Sequence, residues 1–477
     1  MPFTLPPIYS HMAIPTSILQ TPAEVIARQR AWFREGHTRD LDFRRQQLRS
    51  LRDALKRHED AVIAALHRDL RKPPVEAYFF DVALTFNEID TALKHLRQWA
   101  APQRVPTPVI LQPGKAYTQP EPYGVVTIIG PWNYPLGLIL PATVNALAAG
   151  NTVVLKPSEM VPHTVAVLRQ LVADALPPEQ LAIVEGGVAE TQALLAEPVD
   201  FIHFTGSPRV GRIVMEAAAR HLTPVALELG GKCPAIVDVH THLDQTARRI
   251  AWAKCFNAGQ SCVAPDYLLV HRSVKEDLIG RMSQAFVEFL GKDPQQSPDL
   301  ARIVNRQHHE RLSSYLTGDI RHGGQTDPED LFVAPTIIDV PDPDQHPAME
   351  DEIFGPILPV IAYDELDEAI DFINRRPKPL ALYVFSNRSH VQTEVLGRTS
   401  AGAVCVNDVM VQIYMTDLPL GGVGMSGIGR YHGKAGFDAF SNLKSVLRRS
   451  LLVDPPVRYA PYKLALDLVK PIMRWFS

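Results

Sequence analysis

Between Thr38 and Leu70, apolar side chains recur at Leu48, Leu51, Leu55, Val62, Leu66 and Leu70, a spacing that predicts one long amphipathic helix. Arginines and lysines fall between them, which fits a solvated helix surface better than a nucleic-acid face. A second helical pattern spans Val75 to Trp99 and must stop at the Pro102, Pro106 and Pro108 cluster, because proline cannot donate to a helical ladder. From Gly124 the period changes. Short β-branched runs at Val125–Ile129, Thr152–Leu155, Ala182–Val184, Phe201–Phe204 and Pro224–Leu229 are each separated by enough chain for a helix. Strand–helix–strand repetition predicts a parallel sheet covered on both faces, with ligands bound at the carboxyl ends of its strands. A second α/β stretch follows, with apolar runs at Ala235–Val237, Tyr267–Val270, Ile357–Ala362, Ala381–Phe385 and Ala403–Val406. It reads as a separate domain beginning near Gly230. No fixed-period repeat is visible.

Length and composition narrow this picture. At 477 residues the chain exceeds what one hydrophobic core usually holds, and 46% apolar with 21% charged residues is a globular balance rather than a disordered or fibrous one. The net charge of −4 offers no global field for nucleic acid. Four cysteines, Cys233, Cys255, Cys262 and Cys405, cannot form a disulfide framework and lack close C-x-x-C pairing, which points to a reducing compartment and leaves room for one reactive thiol. Met1–Gln20 has neither a basic n-region nor an apolar core, so a cytosolic location is expected, and Met12 could serve as an alternative start. The 41 prolines exceed the usual share and punctuate the chain in clusters.

Four segments carry candidate chemistry. Asn151-Thr-Val-Val-Leu-Lys156-Pro-Ser-Glu159 ends a buried strand in an ammonium and a carboxylate that could hold ribose or phosphate, although alone it fits a surface pair capping a helix better. Phe204-Thr-Gly206-Ser207-Pro-Arg-Val-Gly211 opens a helix whose free N–H groups would suit a pyrophosphate, and an ordinary capped helix fits equally well. Leu227-Glu228-Leu229-Gly230-Gly231-Lys232 sets an acid in an apolar run, where burial is costly unless the acid is functional or partnered. Phe256-Asn257-Ala258-Gly259-Gln260-Ser261-Cys262 sets a thiol after small residues, open to a small ligand, where thiolate character would make it a nucleophile. Packing as a small hydrophobe suits Cys233, Cys255 and Cys405 better.

Gly130-Pro131-Trp132-Asn133-Tyr134-Pro135, Lys156-Pro-Ser-Glu159, Phe204-Thr-Gly206-Ser207, Glu228-Leu-Gly-Gly-Lys232, Gly259-Gln-Ser-Cys262 and Glu352-Ile-Phe354-Gly-Pro356 follow one another in an order that resembles aldehyde dehydrogenases, over roughly Ala23 to Leu447. The Trp-Asn-Tyr-Pro form, Cys262-Val-Ala-Pro-Asp266-Tyr267 and Tyr431-His432-Gly433-Lys434 look most like the class 3 group of fatty, aromatic and coniferyl-type enzymes. The resemblance implies an α/β fold with a Rossmann-like NAD(P)-binding domain, an α/β catalytic domain and a small β oligomerisation arm. The expected division is 20–229 for NAD(P) binding, with 107–123 contributing to the arm, then 230–406 for catalysis, 407–450 as a bridging segment and 451–477 as a tail. It further implies oxidation of a medium- or long-chain aliphatic or aromatic aldehyde to the acid; a cinnamyl-type or apocarotenoid substrate and a silent ligand-binding relative are the alternatives.

By the same resemblance, Cys262 would attack the aldehyde, the Asn133 amide and the Cys262 N–H would hold the oxyanion, and Glu228 would activate the water that hydrolyses a thioester. Trp132, Lys156, Glu159, Gly206, Ser207, Gly211, Glu352 and Phe354 would line the cofactor site. Glu159 argues for NAD, since a carboxylate repels a ribose 2′-phosphate, with NADP also acceptable. Class 3 relatives imply a homodimer, with Pro120–Gly124 and Asp417–Tyr431 as arm and closing loop. No metal is implied; His308-His309 and His240-Thr-His242 read as surface histidines. In the tail, Leu464, Leu468, Ile472 and Trp475 fall at helical spacing beside Lys463, Lys470 and Arg474. A helix packed over the protein's own body is the favoured expectation, and an interfacial membrane helix is the alternative.

Overall fold

The computed structural model describes residues 21–454, 458–462 and 465–476. Three larger sheets organise them, beside a two-stranded pair of Thr326–Asp327 with Phe332–Val333. The first runs in the order Gly427–Ile428, Val225–Glu228, Phe201–Thr205, Val125–Ile129, Thr152–Lys156, Leu181–Ile183, parallel throughout except for the two-residue edge strand. The second contains Asp319–His322, Thr336–Asp339, Ile357–Tyr363, Tyr267–His271, Pro234–Val237, Ala381–Phe385 and Ala403–Val406, again parallel except at its first strand. Their central strands are buried along their whole length, which is why they read as unbroken β-branched runs rather than alternating ones. The chain passes from one sheet to the other between Glu228 and Pro234.

The predicted long helix spans Leu41–Leu70. Asp40 caps it by accepting the Asp42 N–H, and Arg71 ends it at φ +49. All six apolar positions read from its spacing are buried, and the helix packs against Pro162–Ala175 and Leu84–Trp99. Arg49, Lys56, Arg57 and Arg68 are exposed, whereas Arg44 is buried and donates to the Thr38 and Ala148 carbonyls. The second predicted helix is interrupted. Pro74–Ala77 leads into wider π-helical turns at Tyr78–Ala83, and only Leu84–Trp99 is regular α-helix. An additional helix, Pro22–Arg34, is opened by a capping box between Thr21 and Glu24.

The third sheet is antiparallel, with Gly114–Pro122 between Gln103–Val105 and Ser441–Arg449. Of the expected bridging segment 407–450, only Ser441–Arg449 joins it. Tyr431, Phe437 and Phe440 pack instead into the core over the first sheet, and Gly427–Ile428 extends that sheet's edge. The tail forms a helix over Leu466–Phe476, but Leu468 is 58% exposed, so this position does not make the packing against the body that the spacing favours; Leu466, outside that spacing, is also exposed. Leu464 and the side chains of Ile472 and Trp475 lie outside the described positions, as do residues 1–20 with the leader and alternative-start readings.

Leu66 has no exposed surface and belongs to the core beneath the first sheet. Leu66→Ala is expected to cost about 2–5 kcal/mol, read as a lowered denaturation midpoint, while Leu451→Ala in the exposed tail stays within about 0.5 kcal/mol.

Candidate active site

Cys262 is delivered by an unusual backbone. Helix Leu243–Cys255 gives way to a turn in which Asn257, Ala258 and Gly259 have φ of +49°, +51° and +68°. Two non-glycine residues in the left-handed region cost energy that surrounding bonds must offset. The Asn257 amide donates to the carbonyls of Asn133 (3.1 Å) and Gln260 (3.2 Å). The Gln260 amide donates to the carbonyls of Asn257 and Arg302, both at 3.0 Å, and its oxygen accepts the Val304 N–H at 3.1 Å. Gly259 is required here on two counts, since a Cβ would lie 2.3 Å from the Gly355 carbonyl oxygen in addition to the left-handed φ. Cys262 therefore sits on a loop leading into strand Tyr267–His271, not at a strand's carboxyl end as Lys156, Gly206 and Glu228 do.

Cys262 and Glu228 open into one cavity whose other walls include Phe80, Leu84, Leu138, Val263, Ile413 and Leu420. Burial pushes the Cys262 thiol up to about 12, helped by the nearby carboxyls of Glu352 and Glu228 and opposed by its own N–H and that of Val263. Glu228 closes strand Val225–Glu228. Burial holds its carboxyl well above the usual range against the opposing pull of Arg430, and its Oε1 has no hydrogen-bond partner among the described residues. An unpaired carboxyl oxygen facing a cavity is poised to bind what enters it. Asn133 is buried, and its Nδ2 donates to the Gln260 carbonyl at 3.1 Å, which ties the amide to the loop that carries Cys262.

The other cysteines pack. Cys233 is fully buried and donates its thiol to the Cys262 carbonyl at 3.2 Å. Cys255 is buried with its thiol pushed up, which makes it inert.

At the strand ends of the first sheet, the Lys156 ammonium donates to the carbonyls of Pro157 (2.9 Å) and Gly186 (2.7 Å), and burial lowers its pKa against the opposing fields of Glu159 and Glu190. Ser207 caps helix Pro208–Ala219 through a 3.4 Å contact with the Val210 N–H. A Cβ on Gly206 would meet the Phe204 ring at 2.6 Å, and one on Gly211 would meet Leu229 at 2.7 Å, so helix, strand and loop close tightly at this end. Trp132 meets Phe354 edge-on at 5.4 Å, with Phe354 at φ +50°. The Glu352 carboxylate fills the space a side chain on Gly230 would need, and burial, with Asp266 beside it, pushes it up to about 8. A buried ammonium, an open helix N-terminus and an aromatic pair suit a dinucleotide.

The structure also corrects the reading of two histidines and places groups to which motif reading gave no role. His309 is buried and pairs with the Phe332 carbonyl at 2.9 Å, and half-buried His308 lies 5.4 Å from the Trp132 ring, so neither is a surface histidine. His432, at φ +76°, lines the cavity with its Nδ1 3.0 Å from the fully buried Glu88 carboxylate, which also accepts the Gly433 N–H. Lys72 and Asp81 form an ion pair with no exposed side-chain surface behind Asn133. In the sequence, Lys72 between a helix end and two prolines gives no sign of burial.

Comparison with known proteins agrees with this geometry. Residues 20–446 match the aldehyde dehydrogenase family. The chain is 47% identical over 428 residues to human aldehyde dehydrogenase family 3 member B1, covering 90% of this chain and 91% of that protein. It is 43% identical over 448 residues to the 4,4'-diaponeurosporen-aldehyde dehydrogenase of Staphylococcus aureus, covering 93% and 97%. Among solved structures, a substrate-bound Staphylococcus aureus AldH superposes with a TM-score of 0.92 at 42% identity, over 95% of this chain and 100% of that one. An indole-3-acetaldehyde dehydrogenase complexed with NAD+ follows at 0.82 and 27%, over 90% and 89%. The chain belongs to the aldehyde dehydrogenase family, oxidoreductases that act on aldehydes with NAD(P).

Because the thiol is raised, its reactive thiolate fraction grows about tenfold per pH unit until the pH nears its pKa. Alkylation of ligand-free protein by iodoacetamide, followed at Cys262 by peptide mass spectrometry, should climb from pH 7 to 9.5 without levelling. Levelling before pH 9.5 would show that the thiol is not raised.

Proposed function

We propose that this protein oxidises medium- or long-chain aliphatic or aromatic aldehydes to carboxylic acids through a covalent cysteine intermediate. The observation that carries this is the shared cavity of Cys262 and Glu228. Cys262 Sγ attacks the carbonyl carbon and gives a thiohemiacetal, whose oxyanion is met by Asn133 Nδ2 and the Cys262 N–H. Bound NAD(P)+ supplies the hydride acceptor that turns this adduct into a thioester on Cys262. Glu228, once deprotonated, takes a proton from water as the water attacks the thioester carbon, and the acid leaves with the thiol restored. That base favours hydrolysis over transfer to CoA, and the intact trio of Cys262, Glu228 and Asn133 argues against a silent relative.

In the cofactor half, Lys156 and Glu159 would hold the adenosine ribose, Gly206, Ser207 and Gly211 the pyrophosphate, and Trp132, Glu352 and Phe354 the nicotinamide end. Glu159 is exposed, so its carboxylate is free to accept from ribose hydroxyls, which favours NAD over NADP. The proposed division assigns the first sheet to cofactor binding, the second to catalysis and the third to dimer formation. Edge strand Ser441–Arg449 exposes Leu443 and Leu447 at 50% and 48%, apolar surface that a second subunit would cover.

Apolar side chains continue outward from the cavity. Tyr414 packs against both Phe80, which lines it, and the 48%-exposed Phe79, with exposed Met415 and Leu418 adjoining. This surface suits a chain longer than the cavity, and the staphylococcal relative's name makes an apocarotenoid aldehyde the specific second reading. Exposed Leu466 and Leu468 beside Lys470 favour peripheral membrane contact by the tail of an otherwise cytosolic protein. No helix among the described residues is long and apolar enough to cross a membrane.

Cys262→Ala should abolish aldehyde-dependent NADH formation. Glu228→Gln should keep a burst of about one NADH per active site and lose at least ~100-fold in steady-state turnover. Absence of the burst, or survival of turnover in Cys262→Ala, would remove this mechanism.

Truncation after Val453 should reduce co-sedimentation with anionic liposomes and lower activity on hexadecanal relative to benzaldehyde. Unchanged binding and selectivity would leave the tail without either role.

A further inference from the structure

Behind the Asn133 amide lies a buried charged strut that belongs to none of the six motifs. Lys72 has no exposed surface, and its ammonium donates at 2.8 Å to the Asp81 carboxylate and at 2.8 Å to the Asn133 backbone carbonyl, while sitting 4.3 Å from the centre of the Tyr134 ring. Asp81 Oδ1 accepts the N–H groups of Leu136 and Gly137, both at 3.1 Å. The loop lies flush on the π-helical turns that carry Asp81, since a Cβ on Gly137 would fall 1.9 Å from the Phe80 carbonyl oxygen. The Asn133 carbonyl receives a second donor, Asn257 Nδ2 at 3.1 Å, and Glu76 accepts the Asn257 N–H at 2.7 Å. Both lone pairs of that carbonyl are thus engaged. The peptide that carries the amide is fixed from one side by Lys72 and from the other by the turn that delivers Cys262.

A fully buried ion pair is weak evidence for stability, because desolvation opposes the attraction. This one instead spends its hydrogen bonds on the Gly130–Gly137 loop. We propose that Lys72, held by Asp81, is a positioning residue for aldehyde addition, acting through the Asn133 backbone carbonyl to aim the Asn133 side-chain amide at the carbonyl oxygen of the aldehyde. The inference rests on the reading that Asn133 holds the oxyanion, and it adds a residue whose effect must disappear when that amide is gone.

A double-mutant cycle separates positioning from mere structural support. Purified Lys72→Met, Asn133→Ala and the double variant are assayed with decanal and NAD, alongside thermal midpoints and the KM for NAD. Asn133→Ala should lower kcat/KM for decanal about 100- to 1,000-fold. Lys72→Met should lower it about 10- to 100-fold with the KM for NAD unchanged, and less than about 2-fold further in the Asn133→Ala background. Equal losses from Lys72→Met in both backgrounds would overturn the positioning role alone. Asn133→Ala at the wild-type rate would remove the oxyanion reading and the positioning role together. Asp81→Asn, nearly isosteric, carries the same cycle if Lys72→Met does not fold, and wild-type kcat/KM in a folded variant of this pair also overturns the proposal.

Discussion

Desolvation is the constraint around which the site is arranged. A cavity walled by Phe80, Leu84, Leu138, Ile413 and Leu420 welcomes an apolar substrate, and the same walls deny water to Cys262 and Glu228. Burial therefore disfavours the charged form of both groups, although the proposed chemistry needs a thiolate first and a carboxylate later. An apolar cavity cannot repair this with solvent. It must use fixed dipoles, and those come from N–H groups and an amide whose directions the backbone sets before any substrate arrives. The exacting part of the fold is thus the few peptides that surround the thiol, and the two large sheets serve to bring those peptides together.

The cost of that arrangement is visible in the backbone. Asn257 and Ala258 hold left-handed conformations that strands and helices avoid, and the turn is held by hydrogen bonds with Gln260, Asn133 and Glu76. Charges recruited for the purpose are themselves buried and must be matched, which accounts for the Lys72–Asp81 pair and for Glu88 beside His432. A polar group in this region is kept by its partners, so replacing one leaves others exposed to the same desolvation.

This explains what could be read from the sequence and what could not. Parallel strands buried on both faces announce themselves as β-branched runs, and each predicted run in the two large sheets corresponds to a strand within a residue or two. The ends of those strands carry Lys156, Gly206 and Glu228, so motif and topology agree there. The helix opened by the Thr21–Glu24 capping box is not read from the apolar period. Helix Val75–Trp99 reads as continuous because its apolar spacing is; the widening at Tyr78–Ala83 places Asp81 toward Leu136 and Gly137, residues distant in sequence. Lys72 and His309 look like surface residues because nothing local reveals that a carboxylate or a carbonyl from another segment will receive them. The tail shows the converse, where helical spacing suggested burial and Leu468 lies exposed.

Gly230 links the two halves of the site electrically. It follows Glu228 by two residues, and the Glu352 carboxylate occupies the volume its missing side chain leaves. Glu352 is, after burial, the largest influence raising the Cys262 thiol, ahead of Glu228. On the proposed reading Glu352 also receives ribose hydroxyls. A ligand that drew this carboxylate off Gly230 would remove one of the influences that raise the thiol. On that reading, the apolar cavity disfavours a thiolate most when its cofactor side is empty. That bias suits a nucleophile that would otherwise be exposed to adventitious electrophiles whenever no hydride acceptor was present.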